Sequence, residues 1–399
     1  MSTHRKNLSQ PVSIIPRENL SSDQLKIVEM PADENLFFTG PAGSGKTQML
    51  IHRALHLAKM YQLSSNSYFL FVLTDIAKNY IRSGSELYGL PQESVTTFDL
   101  WCKRFYESHI SKDLPRTYIN LKLDHHEIRS KVLKELQRRK KPMPKLEFVL
   151  VDDGQDLAPE SYEIFLRAAP HLTVFADFQQ KITENTTSEF LISEKLGVKN
   201  ATRISWKFHR NEPHILRLAS HFLNNTQTKH DYLDQIKGAH TKSEQPQCYI
   251  APSFDQEMDH MAETLKVRLN KGEKVAIVLP DPQSVHTLAK ELTKRNVITE
   301  KILEPEAQNL LHDSYDFSNG IPKMATYLTV KGLTFDSVFL PQLTQQNYRG
   351  MDNDIRSRML FLGVSRARHW VYFSTVKGVE SGVFNALIKA QSEGLLLIY

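Results

Sequence analysis

The stretch GPAGSGKT at residues 40–47 has the residue types and the spacing that hold the phosphates of a nucleotide. Its glycines, Gly40, Gly43 and Gly45, allow the backbone to wrap around phosphate groups with amide N–H groups facing the anion. Lys46 would reach the β- and γ-phosphates, and the hydroxyl of Thr47 would bind Mg²⁺. An apolar strand precedes the loop and a helical pattern follows it. The sequence therefore predicts a site for a nucleoside triphosphate.

A second pattern whose residues could take part in catalysis is FVLVDDGQDL, in which the apolar run 148–151 ends in two adjacent carboxylates. Asp152 would hold Mg²⁺, directly or through water, and Asp153 would orient or deprotonate the water that attacks the phosphate. The alternative is that these acids are only the polar end of a core strand. The phosphate loop favours the first interpretation, because such a loop needs a second strand that ends in an acid.

The elements that must position these residues follow a repeated strand–helix pattern, which is typical of a doubly wound parallel sheet. The apolar runs of the first half are residues 36–40, 68–74, 148–152 and 172–177. A second series follows at residues 247–252, 274–280, 323–329, 336–341 and 370–375. A helix-like stretch at 212–225 and a polar segment separate the two series, so we place a domain boundary within residues 205–245. The chain is predicted to be α/β, with two halves of similar size.

The composition is that of an ordinary globular protein, with 399 residues of which 40% are hydrophobic and 24% charged. Cys102 and Cys248 are far apart and lack metal-binding or redox spacing, which fits a reduced, intracellular protein. Residues 1–20 have no apolar core like that of a secretory signal, and no apolar run approaches the roughly 20 residues that span a bilayer. We therefore expect a cytoplasmic protein without membrane attachment. The net charge of +5 and a pI near 8.9 are compatible with binding a polyanion.

Further motifs occur in the order found in the UvrD/Rep-like helicases of superfamily 1, and the acidic box DDGQD resembles the DExQD box of that family. The other similar stretches are LSSDQLKIV, FVLTDIAKNYIRS, VTTFDLW, FADFQQKI, WKFHRNEPHI, YLTVKGLTFDSVFLP and MLFLGVSRARHWVYFS. The resemblance implies two tandem RecA-like P-loop motor domains with the ATP site in the cleft between them. The N-terminal domain would span residues 1–205, with a reduced accessory insertion near residues 100–145, and the C-terminal domain would span residues 206–399.

The resemblance also implies roles for individual residues around the nucleotide. Gln24 would read the adenine edge, and His209 would occupy the adenine-stacking place. Gly332, in the stretch similar to the KGLEFD motif, would belong to the ATP-binding set. Gln180 would couple the γ-phosphate to the nucleic-acid side. ATP and Mg²⁺ are the implied ligands.

Two arginines are implied as catalytic cations. Arg210 and Arg366 would act as arginine fingers, both supplied by the second domain to a phosphate held by the first. ATP binding would then close the cleft and hydrolysis would reopen it.

Nucleic-acid contacts are implied for three residues on the stretches that resemble the single-strand track. These residues are Thr74, Phe98 and Trp101. Aromatic rings and basic groups are what a single-strand track combines. The alternative interpretation of the two rings is that they are ordinary core aromatics at strand–helix junctions.

Four positions depart from the family pattern. Asp153 stands where Glu is usual, Ala176 replaces Gly, Thr183 replaces a Tyr that stacks near the strand, and Thr334 replaces the Glu that contacts the ribose. Short spacings between motifs also leave little room for the accessory domains of larger relatives. We expect hydrolysis to be slower than in those relatives, because the side chain of Asp153 is one methylene shorter.

The motifs together predict an ATP-dependent translocase or helicase on single-stranded DNA, although they do not exclude RNA as the strand. The alternative is an ATP-binding regulatory or sensor subunit with weak hydrolysis, partner of a nuclease as in phage-defence systems. A small-molecule P-loop kinase would explain the phosphate loop but not the QQKI, HRN and SRAR stretches.

Overall fold

A computed structural model of the chain describes residues 14–41, 43–85, 88–118, 121–138, 146–178, 187–204, 211–234, 236, 244–303, 315–317 and 319–399. These residues form two β-sheets flanked by helices. Every strand pairing of the two sheets is parallel. The predicted α/β class with parallel sheets is therefore confirmed, and it is consistent with a RecA-like helicase fold.

The first sheet has six strands in the order β3-β2-β4-β5-β1-β6. In chain order, its elements are α1 (Ser22–Glu29), β1 (Leu36–Thr39), α2 (Lys46–Met60), β2 (Tyr68–Val72), α3 (Asp75–Ser85), β3 (Val95–Thr97), α4 (Phe98–His109), α5 (His125–Arg138), β4 (Phe148–Val151), α6 (Pro159–Ala168), β5 (Leu172–Ala176), α7 (Glu189–Leu196) and β6 (Thr202–Arg203). Because all these strands run in the same direction, the residues that follow them lie at one edge of the sheet. Three of these ends carry the candidate chemistry: the loop after β1 and the acids after β4 and β5.

The second sheet has seven strands in the order β13-β7-β12-β11-β8-β10-β9. Its elements are α8 (Pro213–Ser220), α9 (Thr226–Asp234), β7 (Gln247–Ala251), α10 (Phe254–Asn270), β8 (Val275–Leu279), α11 (Pro282–Lys294), β9 (Glu300–Ile302), β10 (Lys323–Thr326), β11 (Phe335–Leu340), α12 (Asn353–Val364), β12 (Ala367–Val376), α13 (Phe384–Ser392) and β13 (Leu397–Ile398).

Each sheet is covered on both faces by apolar side chains from the helices. In the first sheet, α2 packs on one face, and α4, α5 and α6 pack on the other. In the second sheet, α10 and α11 cover one face, and α8, α12 and α13 cover the other. Strands buried on both faces read as continuous apolar runs, which is why the central strands were readable from the sequence.

The four apolar runs predicted for the first half correspond to β1, β2, β4 and β5, and the five of the second half to β7, β8, β10, β11 and β12. The four remaining strands, β3, β6, β9 and β13, are two or three residues long and form the edges of the two sheets. The region near 100–145 contains α4, α5 and an antiparallel bridge between Arg116 and Leu123. Both cysteines are free and buried. None of the helices in the described part of the chain is long and apolar enough to cross a membrane.

Candidate functional site

The loop after β1 turns sharply into α2, and the turn requires glycine. Gly43 and Gly45 have φ values of 83° and 87°, in the left-handed region that disfavours side chains. A Cβ on Gly45 would also lie 2.6 Å from Nε2 of Gln24. The backbone conformation therefore disfavours a larger residue at this position, and an added Cβ would also displace the end of the Gln24 side chain. Ala42 of the same loop lies outside the described residues.

Lys46 opens α2, and its buried ammonium group lies against the loop. Its Nζ donates to the carbonyl oxygens of Gly40 at 2.7 Å and Pro41 at 2.9 Å. The carboxylate of Asp177, at the end of β5, lies 3.4 Å from the same Nζ. A cation is thus held where the glycine loop, the helix N-terminus and a strand end meet, which is a suitable place for an anionic phosphate.

Thr47 and Asp152 are brought together from elements more than 100 residues apart in sequence. The Thr47 hydroxyl donates a 2.6 Å hydrogen bond to Oδ2 of Asp152, which follows β4. Burial and then the charge of Asp153 raise the pKa of Asp152 to about 6, although Thr47 and Lys46 act in the opposite direction. A buried carboxylate beside a hydroxyl offers two hard oxygen ligands. Mg²⁺ typically takes one or two protein oxygens and completes its shell with phosphate and water.

No group of three or more His, Cys, Asp or Glu side chains that could hold a metal occurs within the described ranges. The pair of Thr47 and Asp152 fits an ion that also relies on substrate oxygens.

Asp153 adopts a left-handed backbone conformation with φ of 52°. Aspartate tolerates this region better than most residues. Nε2 of Gln155 donates to Oδ1 of Asp153 at 3.2 Å and to Oδ2 of Asp156 at 2.6 Å. Burial alone would raise the pKa of Asp153, but the charges of Lys331, Lys46 and other groups outweigh it and lower the pKa. Asp153 is therefore held as a carboxylate, the form that a general base needs.

Gly154, in the middle of the DDGQD box, is required by packing. A Cβ at this position would lie 2.4 Å from Cγ1 of Val174 and 2.9 Å from the hydroxyl of Tyr162. The same hydroxyl donates a 2.5 Å hydrogen bond to the carbonyl oxygen of Gly154. The close approach of β5 and α6 fixes the backbone that carries Asp153 and Asp156.

A loop residue of the second half reaches this edge of the first sheet. Lys331, in the loop between β10 and β11, forms an ion pair with Asp156, and each side chain is 1% exposed. Burial raises the pKa of Asp156 to about 6, and the charge of Lys331 opposes this effect. A cavity of about 10 Å³ lies beside the pair, lined by residues of both halves of the chain, including Thr47, Asp153 and Gly332. This volume holds at most one water, so the two halves touch at this point.

The sequence did not predict Gln155, Asp156, Asp177 and Lys331 as site residues, although the structure brings all of them to this edge of the first sheet. Gln155 is fully buried, and its Oε1 accepts a 2.8 Å hydrogen bond from the backbone N–H of Asp177. Gln155 thus joins the ends of β4 and β5. The available signals were the Gln and the last Asp of DDGQD, the Asp that ends the β5 run and the Lys of KGLTFD.

Gln24 and Arg366 are both buried near the cluster. The amide of Gln24 holds the phosphate loop, with Nε2 donating to the carbonyl of Ser44 at 3.2 Å, while Oε1 accepts from the N–H of Ser21 and caps α1. Both ends of its amide are therefore engaged.

Arg366, between α12 and β12, donates from Nε to the carbonyl of Leu362 at 3.2 Å, and its charge contributes to the lowered pKa of Asp153. Arg366 thus lies within electrostatic range of the acidic strand end.

The three residues expected along the nucleic-acid track are buried. Phe98 and Trp101 are 3% and 6% exposed and pack edge-on against Phe71 in the core under α4. Neither ring is available as a stacking platform, so the core alternative describes them correctly. The helical spacing of α4 turns both rings inward, onto the sheet. Thr74 lies after β2, and its Oγ1 accepts a 3.0 Å hydrogen bond from the N–H of Ala77, capping α3.

The other predicted site residues lie outside the described part of the chain. They are Gln180, His209 and Arg210. Of the four departures from the family pattern, Thr183 also lies outside it. Ala176 is a buried residue of β5, and Thr334 lines a second small cavity at the start of β11.

Comparison with known proteins points to the second sheet. Residues 326–374 match the family model described as the UvrD-like helicase C-terminal domain. This segment includes Lys331, Gly332 and Arg366, and the match confirms the resemblance that the motifs indicate. No curated protein matches the chain.

One solved structure with some likeness is the C-terminal domain of a protein described as a possible DNA helicase, from Lactobacillus plantarum WCFS1. It is 19% identical, covers 48% of this chain and 99% of its own, and superposes with a TM-score of 0.36. A likeness at that score adds no argument about this chain.

Proposed function

We propose that this chain, whose residues 326–374 match the C-terminal domain of UvrD-like helicases, is an ATP-driven motor that binds and translocates on single-stranded DNA. The family match supports DNA binding and ATP-dependent helicase activity in general. Single-stranded DNA as the track and hydrolysis at the cluster around Lys46 are the finer parts of the proposal.

The observation that carries the proposal is the buried contact between Lys331 and Asp156. Lys331 belongs to the segment that matches the helicase domain, and Asp156 belongs to the acidic box four residues after Asp152. A helicase-type loop therefore meets the edge of the sheet that carries the glycine loop. This arrangement supports a nucleotide site between two halves, where bound nucleotide could change how the halves lie.

We assign the halves to two RecA-like domains, residues 1–205 and 206–399, with ATP between them. The separate parallel sheets, built from residues 36–203 and 247–398, support this division. The region near residues 100–145 would be the reduced accessory insertion.

Within the first domain, the glycine loop would bind the phosphates, with Lys46 as the cation facing them. Thr47 and Asp152 would hold Mg²⁺, which supplies neutralisation of phosphate charge when bound. Asp153 would position the attacking water and accept its proton. The neighbouring charge of Lys331 favours the ionised form of Asp153.

The remaining assignments follow from motif resemblance. Arg366 would be an arginine finger, which its electrostatic effect on Asp153 supports. Arg210 would be a second finger, Gln180 would contact the γ-phosphate side, and His209 would stack on the adenine. Gln24 would act mainly by holding the loop through the carbonyl of Ser44, because its amide is engaged there.

The test is the rate of ATP hydrolysis with and without single-stranded DNA, compared between wild type and Lys46→Ala. We expect DNA-stimulated turnover in the wild type and a loss of about 10²-fold or more in the variant. Lys59→Ala, an exposed lysine on the same helix, is the matched control and should behave as wild type. Failure of the wild type to bind single-stranded DNA at low salt with an ATP analogue would overturn the proposal. A parallel series with single-stranded RNA shows whether DNA or RNA is the strand that stimulates turnover.

No contact in the described residues favours the alternative of a regulatory subunit paired with a nuclease. That partner stays a prediction from the sequence. Strong turnover by the isolated chain on DNA would count against it.

A further inference from the structure

The side chain of Gln155 is fixed by hydrogen bonds inside the acidic box. It is fully buried, and its Oε1 accepts a 2.8 Å hydrogen bond from the backbone N–H of Asp177. Its Nε2 donates to Oδ1 of Asp153 at 3.2 Å and to Oδ2 of Asp156 at 2.6 Å. The amide oxygen and both hydrogens of the amide nitrogen are therefore engaged.

The surroundings allow the amide of Gln155 only one orientation. A backbone N–H can only donate, so the atom that faces the N–H of Asp177 must be the oxygen. An ionised carboxylate can only accept, so the atom that faces Asp153 and Asp156 must be the nitrogen. Rotating the amide by half a turn would place donor against donor and acceptor against acceptor. Gln155 thus holds Oδ1 of Asp153 in one fixed arrangement.

The contacts of Gln155 also connect Asp153 to the cation of the phosphate loop. Asp177, whose backbone N–H is bound by Gln155, lies with its carboxylate 3.4 Å from Nζ of Lys46. A series of short contacts therefore links Lys46 to Asp153 by way of these two residues. A base must stand within hydrogen-bond reach of its water while the phosphate is held in place. The position of Asp153 relative to Lys46 therefore matters for hydrolysis.

We propose that Gln155 is the positioning residue for Asp153. Its amide would direct the carboxylate by holding Oδ1, which leaves Oδ2 for the attacking water, and would fix this carboxylate relative to Lys46. This inference rests on the proposed function, because it takes Asp153 as the base. Gln155 touches no reacting atom and acts through Asp153.

The experiment compares kcat and KM for ATP, at saturating single-stranded oligo-dT, in the wild type, Gln155→Met and Gln155→Glu. Gln155→Met keeps the length of the side chain but removes its hydrogen bonds. Gln155→Glu keeps an oxygen for the N–H of Asp177 but removes the donor to Asp153. We expect kcat to fall by about 10- to 100-fold in both variants, because a small misplacement of a catalytic group has effects of this size.

The KM for ATP should change much less than kcat in these variants, because the glycine loop and Lys46 stay in place. Gln155→Glu separates positioning from a purely structural role. A residue that only joins the ends of β4 and β5 would tolerate Glu, since the hydrogen bond from Asp177 can still form. Thermal unfolding of both variants measures any loss of stability separately from the loss of turnover.

A double variant tests whether Gln155 acts through Asp153. Gln155→Met/Asp153→Asn should turn over within about twofold of Asp153→Asn alone, because no base is left to be misdirected. Independent effects of the two changes would instead multiply.

Thr187→Val is the matched control. Thr187 is buried, and its hydroxyl donates to the carbonyl oxygen of Leu157, directly after the acidic box. The variant removes a buried hydrogen bond beside the box but none to a carboxylate. It should retain kcat even where its melting temperature falls.

Three results would each overturn the positioning role while leaving the proposed function intact. They are wild-type kcat in Gln155→Glu, multiplied losses in the double variant, and an equal loss of kcat in Thr187→Val. Wild-type turnover in Asp153→Asn would instead contradict the base that the proposed function assigns.

Discussion

Lys331 and Asp156 form an ion pair that joins the loop before β11 to the strand end after β4, and each side chain is 1% exposed. The two residues are 175 positions apart in sequence. The pair is thus a direct link between the two sheets, at the edge that carries the glycine loop.

Removing one member of this pair is expected to destabilise the protein. Lys331→Met leaves the buried Asp156 without its cation, so we expect the free energy of unfolding to fall by about 3 kcal/mol. The double variant Lys331→Met/Asp156→Asn should recover much of that loss, because no buried charge is left uncompensated. Urea unfolding of the wild type and of both variants measures the loss of stability and its recovery. Lys195→Met, which breaks the more exposed pair with Glu163, is the control and should change stability much less.

Gly154→Ala is expected to distort the acidic box. The added Cβ would lie 2.4 Å from Cγ1 of Val174, so either β5 or the acidic box must move. We expect this shift to lower the free energy of unfolding by about 1–3 kcal/mol. Thermal unfolding should show the loss, and ATP turnover should fall because Asp153 and Asp156 shift. Gly320→Ala meets no atom within 4 Å and serves as the control. Equal melting temperatures for the two variants would contradict the packing argument.

Substitution of Asp153 tests its proposed role as general base. Asp153→Asn should lower turnover by about 10²-fold or more while leaving ATP binding intact, because an amide cannot accept the proton. Asp153→Glu extends the side chain by one methylene and is expected to raise turnover above that of the wild type. Steady-state kinetics measure turnover, and titration with a fluorescent ATP analogue measures binding, so that an effect on hydrolysis is separated from an effect on ATP affinity. A fall in turnover for Asp153→Glu would show that the shorter acid is already well placed.

His171 is expected to contribute to acid sensitivity. Burial, and then the charge of Arg53, lower the pKa of His171 from 6.5 to about 4 in the folded state. The unfolded state therefore binds this proton more tightly than the folded state. The stabilisation is fully present above pH 6.5 and is lost as the pH falls through about 4, at about 1.4 kcal/mol per pH unit within that window.

Urea unfolding of the wild type and His171→Gln between pH 7.5 and pH 4.5 tests this prediction. The variant should lose less stability across this range than the wild type. His126→Gln, at an exposed histidine, should follow the wild-type curve. Parallel curves for His171→Gln and the wild type would exclude His171 as a source of the pH dependence.

The sequence predicted the central strands of both sheets but none of the four edge strands. Strands such as β4, whose residues are all buried, must be apolar along their whole length, so they stand out in the sequence. An edge strand such as β6, with both residues exposed, leaves no apolar run. Its pairing depends on the neighbouring strand, which the local sequence does not encode.

The glycine loop, the acids after β4 and the α/β class were determined by the sequence itself, because each depends on local spacing and on strand burial. Tertiary structure alone decided which distant residues meet. It brought Thr47 within 2.6 Å of Asp152, placed Lys331 on Asp156, and turned Phe98 and Trp101 into the core. The physical reason is that ion pairing and ring burial depend on how helices and sheets pack. Residue types and spacing along the chain leave that packing open.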